Sequence, residues 1–273
     1  MIKNDKQRLL SILQRVRLSE LFDYLRYLTN VKKHQANNQI FLKYYPSFQV
    51  PPAWLAYRAY GHTNWHDYYQ TGKEHASFIS DLIEKNSPNT PLAICEWGCG
   101  TARILRHVRK FFNDRAVSLY GFDDNPENIT WCKDHIEGIT FKHSMLTPPL
   151  AHEADAFDSL YSVSMLTRLS KQMHFEWIKE ISRVVKPNGI IILTTHGDLT
   201  KPHLFQSEQQ AYESGELIVR DTVEDGKRAH VAYHPPAFVR NELLGNFQVL
   251  SHITNPIPDN LTQDVWVVRN TKN

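Results

Sequence analysis

The sequence predicts an α/β fold, a doubly wound parallel sheet behind a helical N-terminal segment, and three observations carry that reading. From Leu92 onward, short apolar runs alternate with segments of helical periodicity. The runs Leu92–Trp97 and Ile190–Thr195 are apolar without alternation, as in strands covered on both faces. A glycine turn, Gly98-Cys99-Gly100, stands at the first strand-to-helix junction.

Taken in order, Leu9–Leu28 has apolar residues at helical spacing and reads as an amphipathic helix. Pro46 and Pro51-Pro52 punctuate the chain before an aromatic stretch, Trp54, Tyr57, Tyr60, Trp65, Tyr68 and Tyr69. Ala76–Glu84 is helical, and the turn-forming Asn86–Pro91 is the best boundary. This divides the chain into an extension or lid over 1–88 and a main domain over 89–273, with an insertion at about 198–235. Strands are predicted at Leu92–Trp97, Val117–Phe122, Ile139–Lys142, Phe157–Val163 and Ile190–Thr195. Helices are predicted at Thr101–Phe112, Pro126–His135 and Lys171–Val185, the last stopped by Pro187-Asn188-Gly189. Gly215–Arg220 and His230–His234 suit a hairpin around Glu224-Asp225-Gly226. A helix over Pro236–Leu244 and strands at Phe247–Ile253 and Val265–Arg269 complete the chain.

Composition narrows the function. The 273 residues are 41% hydrophobic and 22% charged, which excludes general disorder. A net charge of +2 speaks against a nucleic-acid surface. Residues 1–33, however, carry eight basic side chains against three acidic ones. The first helix therefore packs on its own domain, pairs with a second copy, or rests a basic face on an anionic membrane. Cys95, Cys99 and Cys132 lack CxxC spacing, which fits a reducing compartment and no zinc site. The histidines show no metal-binding spacing within a predicted helix. No apolar run reaches the roughly 18 residues of a membrane span. No signal-peptide pattern is visible, so the expected location is the cytoplasm.

The chemistry gathers at Glu96-Trp97-Gly98-Cys99-Gly100-Thr101. The glycines permit a tight turn and close approach of a ligand to the backbone. Asp123, ending the next strand, is placed to bind ribose hydroxyls. The third fingerprint position of a dinucleotide site would be glycine or alanine, and here it is Arg103. Glu96 suits an ammonium better than a pyrophosphate. A ligand with an amino-acid end, a ribose and an adenine fits: S-adenosylmethionine.

These residues resemble the class I S-adenosylmethionine-dependent methyltransferases. Glu96-x-Gly98-x-Gly100-Thr101 resembles their first motif, Asp123 their ribose acid, Asp155–Ser164 their fourth-strand motif, and Lys186–Leu193 their turn into strand five. The resemblance covers about residues 90–200 and implies a Rossmann-like, seven-stranded sheet. Pro51-Pro52, Tyr233–Pro236 and Gln263–Trp266 resemble a bacterial type 11/12-like subgroup, whose members suggest glycan or small hydroxylated acceptors. The cofactor residues implied are Tyr69, Glu96, Gly98, Cys99, Gly100, Asp123, Asp124, Ser144, Met145, Leu146, Ser162, Val163 and Ser164. Met145 and Leu146 would pack the adenine.

A hydroxyl acceptor needs a base. His196, at the end of strand five, and His234, after the insertion, are the candidates, followed by His62 in the aromatic segment. The expected activity is O-methylation of a hydroxyl on a sugar, glycan or small metabolite. The alternatives are an N-methyltransferase and a non-catalytic adapter that keeps the cofactor fold. On this reading Asp123→Ala weakens cofactor binding and leaves the fold intact. His234→Ala leaves cofactor binding intact and lowers turnover.

Overall fold

The computed structural model describes residues 18–87, 91–113, 115–221, 225–226, 230–257 and 260–272. Three helices come first: α1 (Leu18–Tyr44), α2 (Ala53–Tyr60) and α3 (Trp65–Asn86). The alternating part follows as β1 (Leu92–Trp97), α4 (Leu105–Val108), β2 (Val117–Asp123), α5 (Pro126–His135), β3 (Ile139–His143), β4 (Phe157–Ser162), α6 (Lys171–Val184) and β5 (Val185–Thr195). An excursion holds α7 (Gln206–Glu213), β6 (Ile218–Arg220) and β7 (Val231–Tyr233). Then come α8 (Pro236–Phe238), a π-turn over Val239–Leu243, β8 (Phe247–Ile253) and β9 (Asp264–Asn270).

The main sheet has seven strands in the order β3-β2-β1-β4-β5-β9-β8. The first five are parallel, while β9 runs antiparallel to both β5 and β8. Strands β6 and β7 pair as the separate hairpin that the sequence suggests. The unbroken apolar runs have a direct cause in strand geometry. Ile190 and Ile192 enter one core, with Ile79, Ile83 and Leu105, while Ile191 and Leu193 enter the opposite core, with Trp177 and Phe238. Alternate residues of one strand face opposite layers, so a doubly covered strand is apolar at every position.

Three elements depart from the pattern. The helix expected over Thr101–Phe112 begins only at Leu105, because Gly100 and Ala102 both hold a φ of 53° and prolong the turn. The last part of that segment, Arg109–Phe111, is a tight 3₁₀ turn. The stop expected at Pro187-Asn188-Gly189 is the start of β5 itself, with Asn188 at a φ of 63° and a register shift opposite Phe157 and Ser159. The helix expected to end at Leu28 runs on to Tyr44; its predicted first half, 9–17, lies outside the described residues. Its apolar periodicity fades after Leu28 because its polar side chains take over the docking. Asn30 Oδ1 accepts from Thr63 N at 2.7 Å and from Thr63 Oγ1 at 2.9 Å. Asn38 donates to Thr63 O at 2.7 Å and accepts from Trp65 N at 2.9 Å.

The aromatic stretch is mainly a joint between these helices. Trp54 packs edge-on to Tyr24 and Tyr27, and Phe48 packs against Tyr68 and Tyr69. Helix α3 reaches the main core through Ala76, Ile79 and Ile83. Its start is fixed by Asn64, whose side chain accepts from the amides of His66 and Asp67.

Candidate active site at the carboxyl edge of the sheet

The five parallel strands end on one edge, and antiparallel β9 begins there, with Asp264 paired to Thr195. Ligands of open α/β sheets bind at this edge. Gly98 and Gly100 form the turn after β1 with φ of 79° and 53°, a region costly for residues with a Cβ. A Cβ on Gly98 would collide with Met165, and one on Gly100 would lie 2.6 Å from the Tyr60 hydroxyl. The space a side chain would take at each glycine is thus filled by Met165 and Tyr60, which close on the turn.

Glu96 is 3% exposed and accepts a hydrogen bond of 3.0 Å from the Tyr161 hydroxyl. The pairing of Glu96 with Tyr161 across β1 and β4 puts the two side chains on one face. Burial pushes the Glu96 carboxyl up to about 8, so it is protonated at neutral pH until a cation approaches. An ammonium is such a cation.

Asp123 is 7% exposed, and its carboxylate accepts from Gly100 N at 2.7 Å, Asn125 N at 3.0 Å and Asn128 Nδ2 at 2.9 Å. Burial raises its pKa and these donors oppose the rise. A carboxylate offers about four acceptor positions, so one remains for a ribose hydroxyl. Asp123 also fastens the glycine turn to β2, so removing its carboxylate bears on stability as well as on the cofactor role expected for it. Asp124, beside it, is exposed and available to a second hydroxyl.

The other residues separate into two groups. Ser144 is buried, with its amide on Asp123 O at 3.0 Å, while Met145 is 65% exposed beside half-buried Leu146. Ser162 donates to Trp97 O at 2.7 Å, and Val163 packs on the core, so their side chains serve the sheet. Cys99 is buried and burial pushes its thiol well up, which makes it a turn residue and not a nucleophile. Tyr69 lies among Phe41, Tyr45, Phe48 and His107. The tyrosine hydroxyls at the turn are those of Tyr60, which accepts from Thr101 N at 3.1 Å, and Tyr68, which donates to Thr101 O at 2.9 Å. Their i, i+8 spacing, split by Gly61 between two helices, gave no periodic signal.

The histidines differ sharply in environment. His234 is 0% exposed, and its Nε2 lies 2.8 Å from His174 Nε2. Burial, then the His174 charge, holds its pKa well below the usual range. It offers no open face to an acceptor and acts as an internal brace. His62, between α2 and α3, has a buried Nδ1 without a hydrogen-bond partner and a lowered pKa, from burial first and Arg103 second. His196 is half-buried at the end of β5.

A chain of hydrogen bonds fixes the His196 ring. Ser164 N donates to Thr194 Oγ1 at 2.8 Å, so the Thr194 hydroxyl donates onward to Gln263 Oε1 at 2.6 Å. Ser164 Oγ also donates to that oxygen, at 3.2 Å. The Gln263 amide nitrogen is thereby turned to His196 Nε2, at 3.4 Å. On the ring's other side, Nδ1–H donates to Ala232 O at 3.0 Å. A backbone donor at one end and a backbone acceptor at the other set the tautomer, leaving Nε2 with its lone pair. Burial lowers the His196 pKa, with Arg168 and His203 adding to it, so the ring is neutral at pH 7. Thr194 and Gln263 were not among the predicted site residues, although the Gln263–Trp266 segment stood out. Ser164 holds a φ of 66°, strain at the strand end where the network begins.

Comparison with known proteins bears on the domain and the fold. Residues 95–193 match the family model described as a methyltransferase domain. The malonyl-[acyl-carrier protein] O-methyltransferase of Bacillus anthracis is 21% identical over 144 residues, 50% of this chain and 49% of that protein. The match thus spans about half the length of that curated relative. A chain from the Haloferax volcanii complex of the Trm112 methyltransferase activator with a methyltransferase has a TM-score of 0.54 at 14% identity, over 81% of this chain and 96% of that one. A Pyrococcus horikoshii protein gives 0.55 at 15% identity, over 83% and 98%. An S-adenosylmethionine-dependent methyltransferase of Methanosarcina mazei gives 0.52 at 19% identity, over 70% and 98%. At such identities the structural likeness is one of fold. Residues 95–193 thus match a methyltransferase domain, and the fold is shared with solved structures among which the Methanosarcina mazei protein is described as S-adenosylmethionine-dependent. The residues present fit the cofactor: Glu96 can face a cation, and Asp123 keeps an acceptor position. Among the described residues, no helix is long and apolar enough to cross a membrane, and no cluster of metal-ligating side chains occurs.

Proposed function

We propose that the protein methylates a hydroxyl of a small or glycan-linked acceptor, with His196 as the general base. The observation that carries this is the His196 ring itself: half-buried at the strand edge, neutral, fixed in one tautomer by Ala232 O, with its Nε2 held only by a long 3.4 Å contact from Gln263 that an acceptor hydroxyl would replace. Bound S-adenosylmethionine supplies an electrophilic methyl group. The chain's residues then have three tasks. Glu96 and the glycine turn hold and orient the cofactor's polar end, and Asp123 with Asp124 hold its ribose. His196 Nε2 takes the acceptor's proton as the oxygen becomes nucleophilic, and Ala232 O stabilises the resulting imidazolium through Nδ1–H. Proximity and alignment supply most of the remaining acceleration.

The Bacillus anthracis relative's name favours a second reading, transfer to a carboxylate such as a malonyl group, which needs no base. A methyl-transfer assay with hydroxylated sugars, hydroxylated metabolites and malonyl thioesters separates the two. Transfer to a hydroxyl that is lost in His196→Ala supports the proposal. Transfer to malonyl thioesters alone, retained in His196→Ala, replaces it with the second reading.

A further inference from the structure

Helix α1 docks on the molecule largely through polar side chains. Its inward residues recur at helical spacing as Asp23, Tyr27, Asn30, His34, Asn38 and Phe41, all buried or half-buried. The Tyr57 hydroxyl donates to Asp23 Oδ1 at 3.1 Å, while Asn30 and Asn38 hold Thr63 and the Trp65 amide. The opposite face is apolar and open. Leu21, Phe22, Leu25 and Leu28 are 54%, 44%, 48% and 44% exposed. Their spacing makes them one stripe along two turns of the helix. A helix of a globular protein normally turns such a stripe to the core, so this one runs the other way. A contiguous apolar surface facing water marks a contact.

The charges around the stripe have one sign. Over residues 21–44 of α1 the single acid is Asp23, which is turned inward to Tyr57. Arg26, Lys32 and Lys33 are exposed, and none forms an ion pair with a described residue. Lys32 continues the stripe one turn beyond Leu28, and Arg26 and Lys33 follow one border of it. On the other border, exposed Tyr24 packs on Trp54, and the Arg58 guanidinium lies 5.9 Å from the centre of the Trp54 ring. Between α1 and the end of α2 runs a groove of about 530 Å³, where Phe22 and Leu25 stand beside Arg26 and Lys33. The sequence of residues 1–17 adds five basic side chains against one acidic.

These features select the occupant. Two copies meeting through this face would bring like charges together, which is costly. An acidic protein surface would match the cations and leave the leucines unserved. An anionic phospholipid layer offers both partners, phosphates for the cations and hydrocarbon beneath them for the stripe. Tyr24 and Trp54 suit the level between the two. We infer that α1 is an interfacial helix that rests the protein on an anionic phospholipid surface. Leu21, Phe22, Leu25 and Leu28 enter the acyl boundary, and Arg26, Lys32 and Lys33 meet the phosphates. The helix lies along the membrane and does not cross it. The inference is independent of the cofactor and of the acceptor proposed above.

The test is flotation of the full chain with two kinds of vesicle. One is phosphatidylcholine alone, and the other is equal parts phosphatidylcholine and phosphatidylglycerol. Binding to the anionic vesicles should be tighter by about tenfold or more, and should weaken as salt is raised. Lys32→Gln with Lys33→Gln should weaken it about 10- to 30-fold. Leu21→Gln with Leu25→Gln, which leaves the charge unchanged, should weaken it by about tenfold or more. Circular-dichroism melting of the leucine variant should match the parent, since both side chains already face water. If that double variant does not fold, Leu25→Gln alone is read in its place. Equal binding to both vesicles overturns the inference. So does an effect of the lysine pair without one of the leucines, which would reduce the contact to charge attraction. Sedimentation velocity without lipid covers the rival occupant: a dimer that the leucine variant dissolves, with no vesicle binding, would make this face a self-interface and overturn the inference.

Discussion

Glu96→Gln should move stability and cofactor affinity in opposite directions. Gln keeps the oxygen that accepts from Tyr161 and removes the ionisation. In the folded protein the Glu96 carboxyl titrates at about 8, against an ordinary value of 4.5. The sign follows from proton counting. Between these values the folded state holds a proton that the unfolded state has released, so stability falls as pH rises. The loss is about 1.4 kcal/mol per pH unit within that window. From pH 5 to pH 8 it comes to about 4 kcal/mol, of the order of the net stability of many domains. Urea unfolding of parent and variant at pH 5, 6, 7 and 8 reads it directly. The Gln variant should gain on the parent across the series, by a few kcal/mol at pH 8, because other titrating groups cancel in the difference. S-adenosylhomocysteine should bind the variant about tenfold or more weakly at pH 8, where the parent's carboxylate forms most readily against the ammonium. A stability difference independent of pH would refute the assignment of Glu96 as a carboxyl kept protonated by burial.

Three further outcomes follow from particular contacts. Asp123→Ala strips an acceptor from Gly100 N, Asn125 N and Asn128 Nδ2, so thermal unfolding should show a loss of about 3 kcal/mol or more, along with weakened cofactor binding. An unchanged melting temperature would show that the clasp is not structural. His196→Ala should lower turnover about 10²- to 10⁴-fold on a hydroxyl acceptor, with cofactor affinity within about threefold. In the parent, activity should fall on the acidic side only below pH 6.5, because the base works unprotonated and its pKa is lowered; an acid limb above 6.5 would exclude His196. His234→Ala leaves His174 Nε2 without its partner, so circular dichroism melts should show destabilisation. Full stability with selective loss of turnover would return the base to His234.

The linear sequence by itself determined the alternation of strand and helix, the turn after β1 and the acid after β2. Those signals are local. A strand buried on both faces must be apolar throughout, and a turn that brings backbone to a ligand must contain glycine, whatever the rest of the chain does. Asn125 before Pro126 likewise marked the start of α5, and the structure places that cap on Glu127 N at 2.9 Å.

Tertiary structure decided which polar residues share a site. Gln263 and Ser164 are 99 positions apart, and they meet because β9 returns antiparallel beside β5 to the edge where β4 ends. His196 and His234 look alike in the sequence, but one is half-buried at that edge with only a long 3.4 Å contact from Gln263 on its Nε2, and the other is sealed against His174. Burial, long-range pairing and the direction of hydrogen bonds are properties of the folded whole, and in this protein they separate the working groups from their look-alikes.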